Sequence, residues 1–241
     1  MPIKKSAIYL FTFIFISCAS IPVYRVNSLE NSKYYLMGRE TIIKKDNDIN
    51  VILNFENQSG KELIFYLVVE NNSLKSITID PSKIYAEILD SPDASNSSKK
   101  IYAVHPENEL VRVDKEINQV NANKQTADGI NFIVATLDLA SSTAGIFEKK
   151  SEEQINREYS ERMERKDNME RDEEEYNEDI NKLNQNKKYW EDEVLRITTL
   201  KTEERIGGFF HLQIYPETDY FNLVIPIGHK EFKFHYKQMR F

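Results

Sequence analysis

Apolar and polar residues alternate along residues 34–105. Ile49, Val51, Leu53 and Phe55 share one face; after Asn57-Gln58-Ser59-Gly60, Leu63, Phe65, Leu67 and Val69 share another. Alternation over five or more residues, bounded by Asn, Gly and Ser, predicts half-buried strands. Short apolar runs at 77–79, stopped by Pro81, and at 84–89 and 101–104 add further strands. Asp46-Asn47-Asp48 and Asn71-Asn72-Ser73 have the composition of turns. The period of two returns after Gly207-Gly208: first Phe210, Leu212 and Ile214, then Phe221, Leu223 and Ile225, then Phe232, Phe234 and Tyr236. Two or three strands do not form a stable domain by themselves. The closing strands therefore complete the sheet begun at Tyr34. The expected fold is mainly β, an antiparallel sandwich built from residues 34–105 and 207–241, with a helical insertion over 106–206.

Inside the insertion the period changes. Leu110, Val113, Ile117 and Val120 recur at threes and fours, one face of a helix. Pro106, Glu107 and Glu109 suit its first turn, where proline and carboxylates are favoured. Asp128-Gly129 predicts a break, and residues 130–147 follow as the most apolar stretch beyond the N-terminus. A membrane span there is marginal in length and would bury Asp138. An interfacial helix would want a basic polar face that is missing. Packing on the sandwich needs no special assumption and is the reading adopted, with a partner interface as the first alternative. Residues 148–204 contain neither Pro nor Gly and are dominated by Glu, Lys and Arg, which predicts one long charged helix.

The second half of that helix has a heptad-like seam. Tyr176, Leu183, Trp190 and Ile197 are seven apart, and Ile180 and Val194 fill alternate positions, with Lys187 interrupting. The first half has only Ile155, Tyr159, Met163 and Met169 as apolar points. The seam has two readings: an antiparallel hairpin with the helix of residues 107–123, or pairing with another protein or another copy. In the second, the candidate partner-binding residues are Tyr176, Ile180, Leu183, Trp190 and Val194, with Trp190 as the anchor.

The N-terminus adds an address. Lys4 and Lys5 precede an apolar run at 8–16, followed by Ser17-Cys18-Ala19-Ser20. These are the parts of a secretory signal, and the run falls short of the about 20 residues a spanning helix needs. Cys18 is the only cysteine. Its place just after the apolar run resembles a bacterial lipoprotein signal. That implies removal of residues 1–17, acylation of Cys18 with palmitate-type chains, and a polar tether over 18–33. The alternative is an ordinary cut near Ala19 or Ser20 that discards Cys18. Ala19, in place of Asp, leans the sorting towards the outer membrane and leaves the facing side open. Either way the mature fold holds without a disulfide, although export permits one.

Composition and chemistry then exclude more than they assign. The chain has 241 residues and a formal charge of −7, room for one domain and an extension. Its acidity argues against nucleic acid as a partner. The four histidines lack metal-ligand spacing; His211 and His235, on strands, are expected to face solvent. There is no Gly-x-Ser-x-Gly and no phosphate-cradling loop. The run Asp172-Glu173-Glu174-Glu175 lacks the pattern of a calcium loop and reads as a solvated helix face. No catalytic residue, metal or cofactor is expected.

The order of parts is a lipoprotein signal, strands ending in Ile101-Tyr102-Ala103-Val104-His105-Pro106-Glu107, a charged helical insertion, Gly207-Gly208 and a closing Phe232-Lys233-Phe234-His235-Tyr236 strand. This resembles bacterial envelope lipoproteins with an immunoglobulin-like domain. The resemblance implies an immunoglobulin-like sandwich; it brings no known activity and no transferable site. The functional expectation is a membrane-anchored, non-enzymatic interaction or scaffold module that binds another envelope protein through its helical arm. An envelope enzyme with a site in the sandwich loops and a homo-oligomer built through the arm are the alternatives.

Overall fold

The computed structural model describes residues 22–36, 38–46, 48–94, 99–144 and 151–241, and for 137–144 the backbone alone. The signal, Cys18, the start of the tether, the side chain of Asp138 and residues 145–147 lie outside the described residues. In chain order the strands are β1 (Tyr24–Ser28), β2 (Lys33–Leu36), β3 (Arg39–Asp46), β4 (Ile49–Ser59), β5 (Glu62–Asn71), β6 (Ile77–Ile79), β7 (Tyr85–Leu89) and β8 (Lys99–Tyr102). Two long helices follow, α1 (Pro106–Ala144) and α2 (Glu152–Asp192), and then β9 (Thr198–Leu200), β10 (Arg205–Gln213), β11 (Tyr220–Ile227) and β12 (Lys230–Arg240).

Two antiparallel sheets result, in a sandwich-like arrangement. One runs β10-β5-β4-β3-β2; the other runs β1-β12-β11-β6-β9, with β7 joining β11 to β8. The inner faces are the alternating positions of the sequence. Val51 and Leu53 on β4 and Leu63, Phe65 and Leu67 on β5 are buried with Leu223 and Ile225 on β11 and Phe234 on β12. Phe65 stacks on Phe210 at 5.4 Å within its own sheet and meets Tyr236 of the other sheet edge-on at 5.5 Å. Each such ring removed from water contributes about 1.5–3 kcal/mol, so this trio fastens the two layers. The β4–β5 hairpin turns through Gly60 at φ +56°, a left-handed conformation in which a side chain would be strained.

The structure corrects the expected boundaries in four places. Residues 24–28, read as tether, form β1 against β12 from Tyr24↔Arg240 to Ser28↔Tyr236. Only Tyr24, Val26 and Ser28 face inward, a run too short and too polar to read as periodic. The long helix ends at Asp192, twelve residues before its expected limit of Glu204. Beyond it Val194 and Leu195 turn into the core, and β-branched Ile197, Thr198 and Thr199 favour the extended chain that lets β9 pair with β6. The expected break at Asp128-Gly129 is absent, because one glycine inside a helix costs only about 1 kcal/mol. Finally, Ile130, Phe132 and Ile133 do not pack on the sandwich; they are exposed. A continuous helix rises about 1.5 Å per residue and carries Ile130 about 36 Å along from Pro106.

Candidate functional site

The two helices form an arm whose root is built on one strand. β10 is the edge of its sheet, and both ends of the insertion are stitched to it. On the way out, Val104 N–H donates to His211 O at 2.8 Å, and Ala103 bridges Leu212. On the way back, Leu195 N–H donates to Phe209 O at 2.7 Å and Phe209 N–H donates to Glu193 O at 2.9 Å. Gly208 makes that approach possible: a Cβ there would stand 3.0 Å from Leu195 N and 3.1 Å from Glu193 O. The Gly207-Gly208 pair, after which the sequence pattern returns to a period of two, itself lies within β10 and admits the returning chain.

Above this seam a second, small core forms. Leu110 and Val113 of α1 bury against Trp190 of α2 and Val194 just beyond it, with Ile117, Tyr189 and Phe209 packed around them. Trp190 is 5% exposed, with its ring 4.7 Å from that of His211. His211 was expected in solvent and is buried. Its face of β10 is outward, but the root of the arm lies over it. Both ring nitrogens are engaged, Nδ1 with Glu62 Oε2 at 2.8 Å and Nε2 with Tyr189 Oη at 2.8 Å. Nδ1–H donated to the carboxylate leaves Nε2 to accept from the tyrosine hydroxyl. Burial, with the Glu193 and Glu62 carboxylates nearby, pushes the Tyr189 hydroxyl up to about 12. The Glu62–His211–Tyr189 chain thus joins β5, β10 and α2 through a phenol that stays protonated. It holds the arm to the sheet, and a phenol so hard to ionise is a poor nucleophile.

These groups line a cleft of about 670 Å³ between the arm and the sheet, with Arg39, Gln58 and Arg112 on its walls. Arg39 pairs with Glu56 at 2.9 Å and Arg112 with Glu109 at 2.7 Å. Gln58 also takes the entering chain: its side chain accepts from Tyr24 N–H and donates to Pro22 O. The N-terminal segment therefore enters the sandwich beside the root of the arm. Across the root, the Arg196 guanidinium meets both Glu107 carboxylate oxygens, at 2.7 and 2.8 Å, and holds that carboxyl below its ordinary range. Among the described residues no cluster of His, Cys, Asp and Glu is placed to hold a metal ion, and no described helix is long and apolar enough to cross a membrane.

Beyond the root, α1 and α2 make their contacts chiefly with each other. Lys187 pairs with Asp114 at 2.8 Å, and Tyr176 donates to Asn121 Oδ1 at 3.0 Å. The intramolecular reading of the seam is the one observed. Tyr176, Ile180 and Leu183 are half-buried along it, while Trp190 and Val194 are wholly inside the chain. Ile197 lies past the helix and is exposed. At 39 and 41 residues the helices extend about 60 Å.

Outward from Tyr176 the pairing thins. A gap of about 330 Å³ opens between the helices, lined by Lys124, Asp128, Asn131, Met169, Asp172 and Glu173 among others. Farther out, apolar side chains face solvent on both helices: Ile130, Phe132 and Ile133 on α1, Ile155, Tyr159 and Met163 on α2. Residues 106–192 hold 22 acidic and 13 basic side chains, a formal −9, and the rest of the chain 17 and 19, a formal +2. Sequence reasoning placed the binding surface at the heptad seam; the exposed apolar surface lies past it, in part at Ile130, Phe132 and Ile133, which were expected to pack on the sandwich, and in part at Ile155, Tyr159 and Met163, the isolated apolar points of the charged helix. No protein family matches the chain, and no curated protein and no solved structure is similar to it.

Proposed function

We propose that this protein is a lipid-anchored component of a bacterial envelope that presents a braced helical arm to a protein partner and catalyses no reaction. The observation that carries the proposal is the contrast within the arm. Its root is locked to the sandwich by a private core, and its far half leaves Ile130, Phe132, Ile133, Ile155, Tyr159 and Met163 exposed. Apolar side chains grouped on a projecting element mark interaction surfaces. The anchor in this proposal is Cys18, acylated after removal of residues 1–17, with the outer membrane as the favoured address. The envelope-lipoprotein resemblance, with its immunoglobulin-like topology, belongs to the same proposal and is supported by the two antiparallel sheets packed face to face.

In-cell crosslinking with affinity capture tests it. The intact protein is compared with a version whose residues 121–178 are replaced by a short turn, which keeps Trp190, Val194 and the root. Partners held by the intact form and lost with the shortened arm support the proposal. Partners retained by the shortened form move the function to the sandwich and sink it. Cys18→Ala tests the anchor separately: the protein is expected to leave the membrane fraction and lose its acyl chains by mass spectrometry.

A further inference from the structure

We infer that the far half of the arm receives a basic amphipathic helix of a partner protein, its apolar stripe on the exposed residues of α1 and α2 and its lysines or arginines along the acidic gap between them. This rests on the proposed role of the arm and names the chemistry of its partner. The gap is lined by Asp128, Asp172, Glu173, Glu175 and Asp179 with Lys124 as the one cation, and Lys124 is already paired to Asp128 at 3.0 Å. Asp179 has Lys182 at 3.9 Å, which leaves Asp172, Glu173 and Glu175 facing a space between two helices, next to apolar side chains that α1 and α2 do not bury in each other. A third helix laid against the pair would cover those apolar groups and bring opposite charge to the carboxylates. This is the recognition mode of amphipathic helices in grooves, read as anchors at helical spacing. Ile155, Tyr159 and Met163 stand four apart on α2, which is such a spacing.

The same charge argues against two other occupants. A second copy would bring another −9 arm alongside the first. Packed helices lie about 8–10 Å apart, about one screening length at physiological salt, so the repulsion would persist. An anionic bilayer repels an acidic arm for the same reason; surface helices that bind it carry Lys and Arg on the polar face.

The test uses the full chain in non-ionic micelles and two labelled helical peptides with the same leucine positions, one filled with lysine and one with glutamate. The leucine–lysine peptide is expected to bind and the leucine–glutamate peptide to fail. Ile133→Ser with Tyr159→Ser should weaken binding about tenfold or more, the loss expected for anchors. Asp172→Lys with Glu175→Lys should weaken it as well, while Lys230→Glu on the sandwich should leave it unchanged. Equal binding of the two peptides, or binding indifferent to the arm substitutions, overturns the inference. A photocrosslinker at Ile133 or Tyr159 in cells supplies the second arm of the test. Adducts within a Lys/Arg-rich amphipathic helix of another protein support it. Adducts to a second copy, to lipid or to an acidic segment overturn the partner chemistry. Adducts to any other kind of protein segment overturn the partner chemistry while leaving the arm's role standing, and their absence at both positions overturns that role too.

Discussion

The sandwich and the far half of the arm use similar residues to opposite ends. In the sandwich, Phe65 is completely buried, and its ring touches Phe55 and Phe210 in its own sheet and Tyr236 across the core. In the arm, Phe132 is 74% exposed. The difference lies in what each element has to pack against. A sheet face meets a second sheet along its whole length, whereas a two-helix arm has one neighbour per helix and a partner for one stripe only. The root of the arm stands between these cases: there the sheet supplies the second partner, and Trp190, Leu110, Val113 and Val194 become core. Apolar residues on a helix thus become structural or available according to their distance from the sandwich.

That comparison can be pushed until it breaks. The largest effect is expected for Phe65→Ala, about 3–5 kcal/mol lost in urea denaturation of the soluble domain; a loss under about 1 kcal/mol would mean that the layers are not fastened there. Next comes Gly208→Ala at the root. Its new Cβ would press on the backbone at Leu195 and Glu193, costing about 1–3 kcal/mol. The sole tryptophan, Trp190, should report the loosening as a red shift in emission. An unshifted spectrum with full stability would show that the returning chain needs no close approach.

The Tyr189 anchor gives a pH signature of about 1–2 kcal/mol, after allowing for the screening of a half-buried group. Its hydroxyl is raised to about 12 in the folded chain against an ordinary value near 10. The folded state therefore holds the proton more tightly. Stability from this group is full below about pH 10 and is lost as pH rises towards 12. Tyr189→Phe should remove that part of the alkaline loss, read as stability against pH; an unchanged slope would mean that Tyr189 contributes nothing to it. The smallest effect is expected for Ile133→Ser with Tyr159→Ser, within about 0.5 kcal/mol by thermal melting. Backbone amides of the far arm should also exchange hydrogen at lower opening free energies than those of β4 and β5. A clear destabilisation by the distal pair would show that those residues are core after all, and would erase the contrast between the two regions.

Much of the fold was readable before any coordinates. β4 and β5 follow the alternation that begins at Ile49 and Leu63, and the closing strands follow Phe210, Phe221 and Phe232. The return of the chain to the sandwich after the helices was also legible, because three closing strands need a sheet to join. The site was less so. Trp190 stood out, but as an anchor for another protein; its partners Leu110, Val113 and His211 are 77 to 80 positions earlier or 21 later in the chain. His211 alternates correctly for an outward position, and only the arm lying over that face buries it. In the far arm, Ile155, Tyr159 and Met163 were visible as isolated apolar points and Ile130, Phe132 and Ile133 as part of an apolar stretch, which local pattern alone assigned to the sandwich.

Local pattern determined by itself most of the strands and the helical character of the insertion, and that the acidic charge collects there, since each of these depends on residues near one another in the chain. Tertiary structure alone decided that residues 24–28 close a sheet edge, that the arm roots on β10 through Gly208, and that Trp190 is inside while Phe132 is outside. Periodicity defines a face of an element. What meets that face depends on residues far away in sequence, and burial is a property of the meeting.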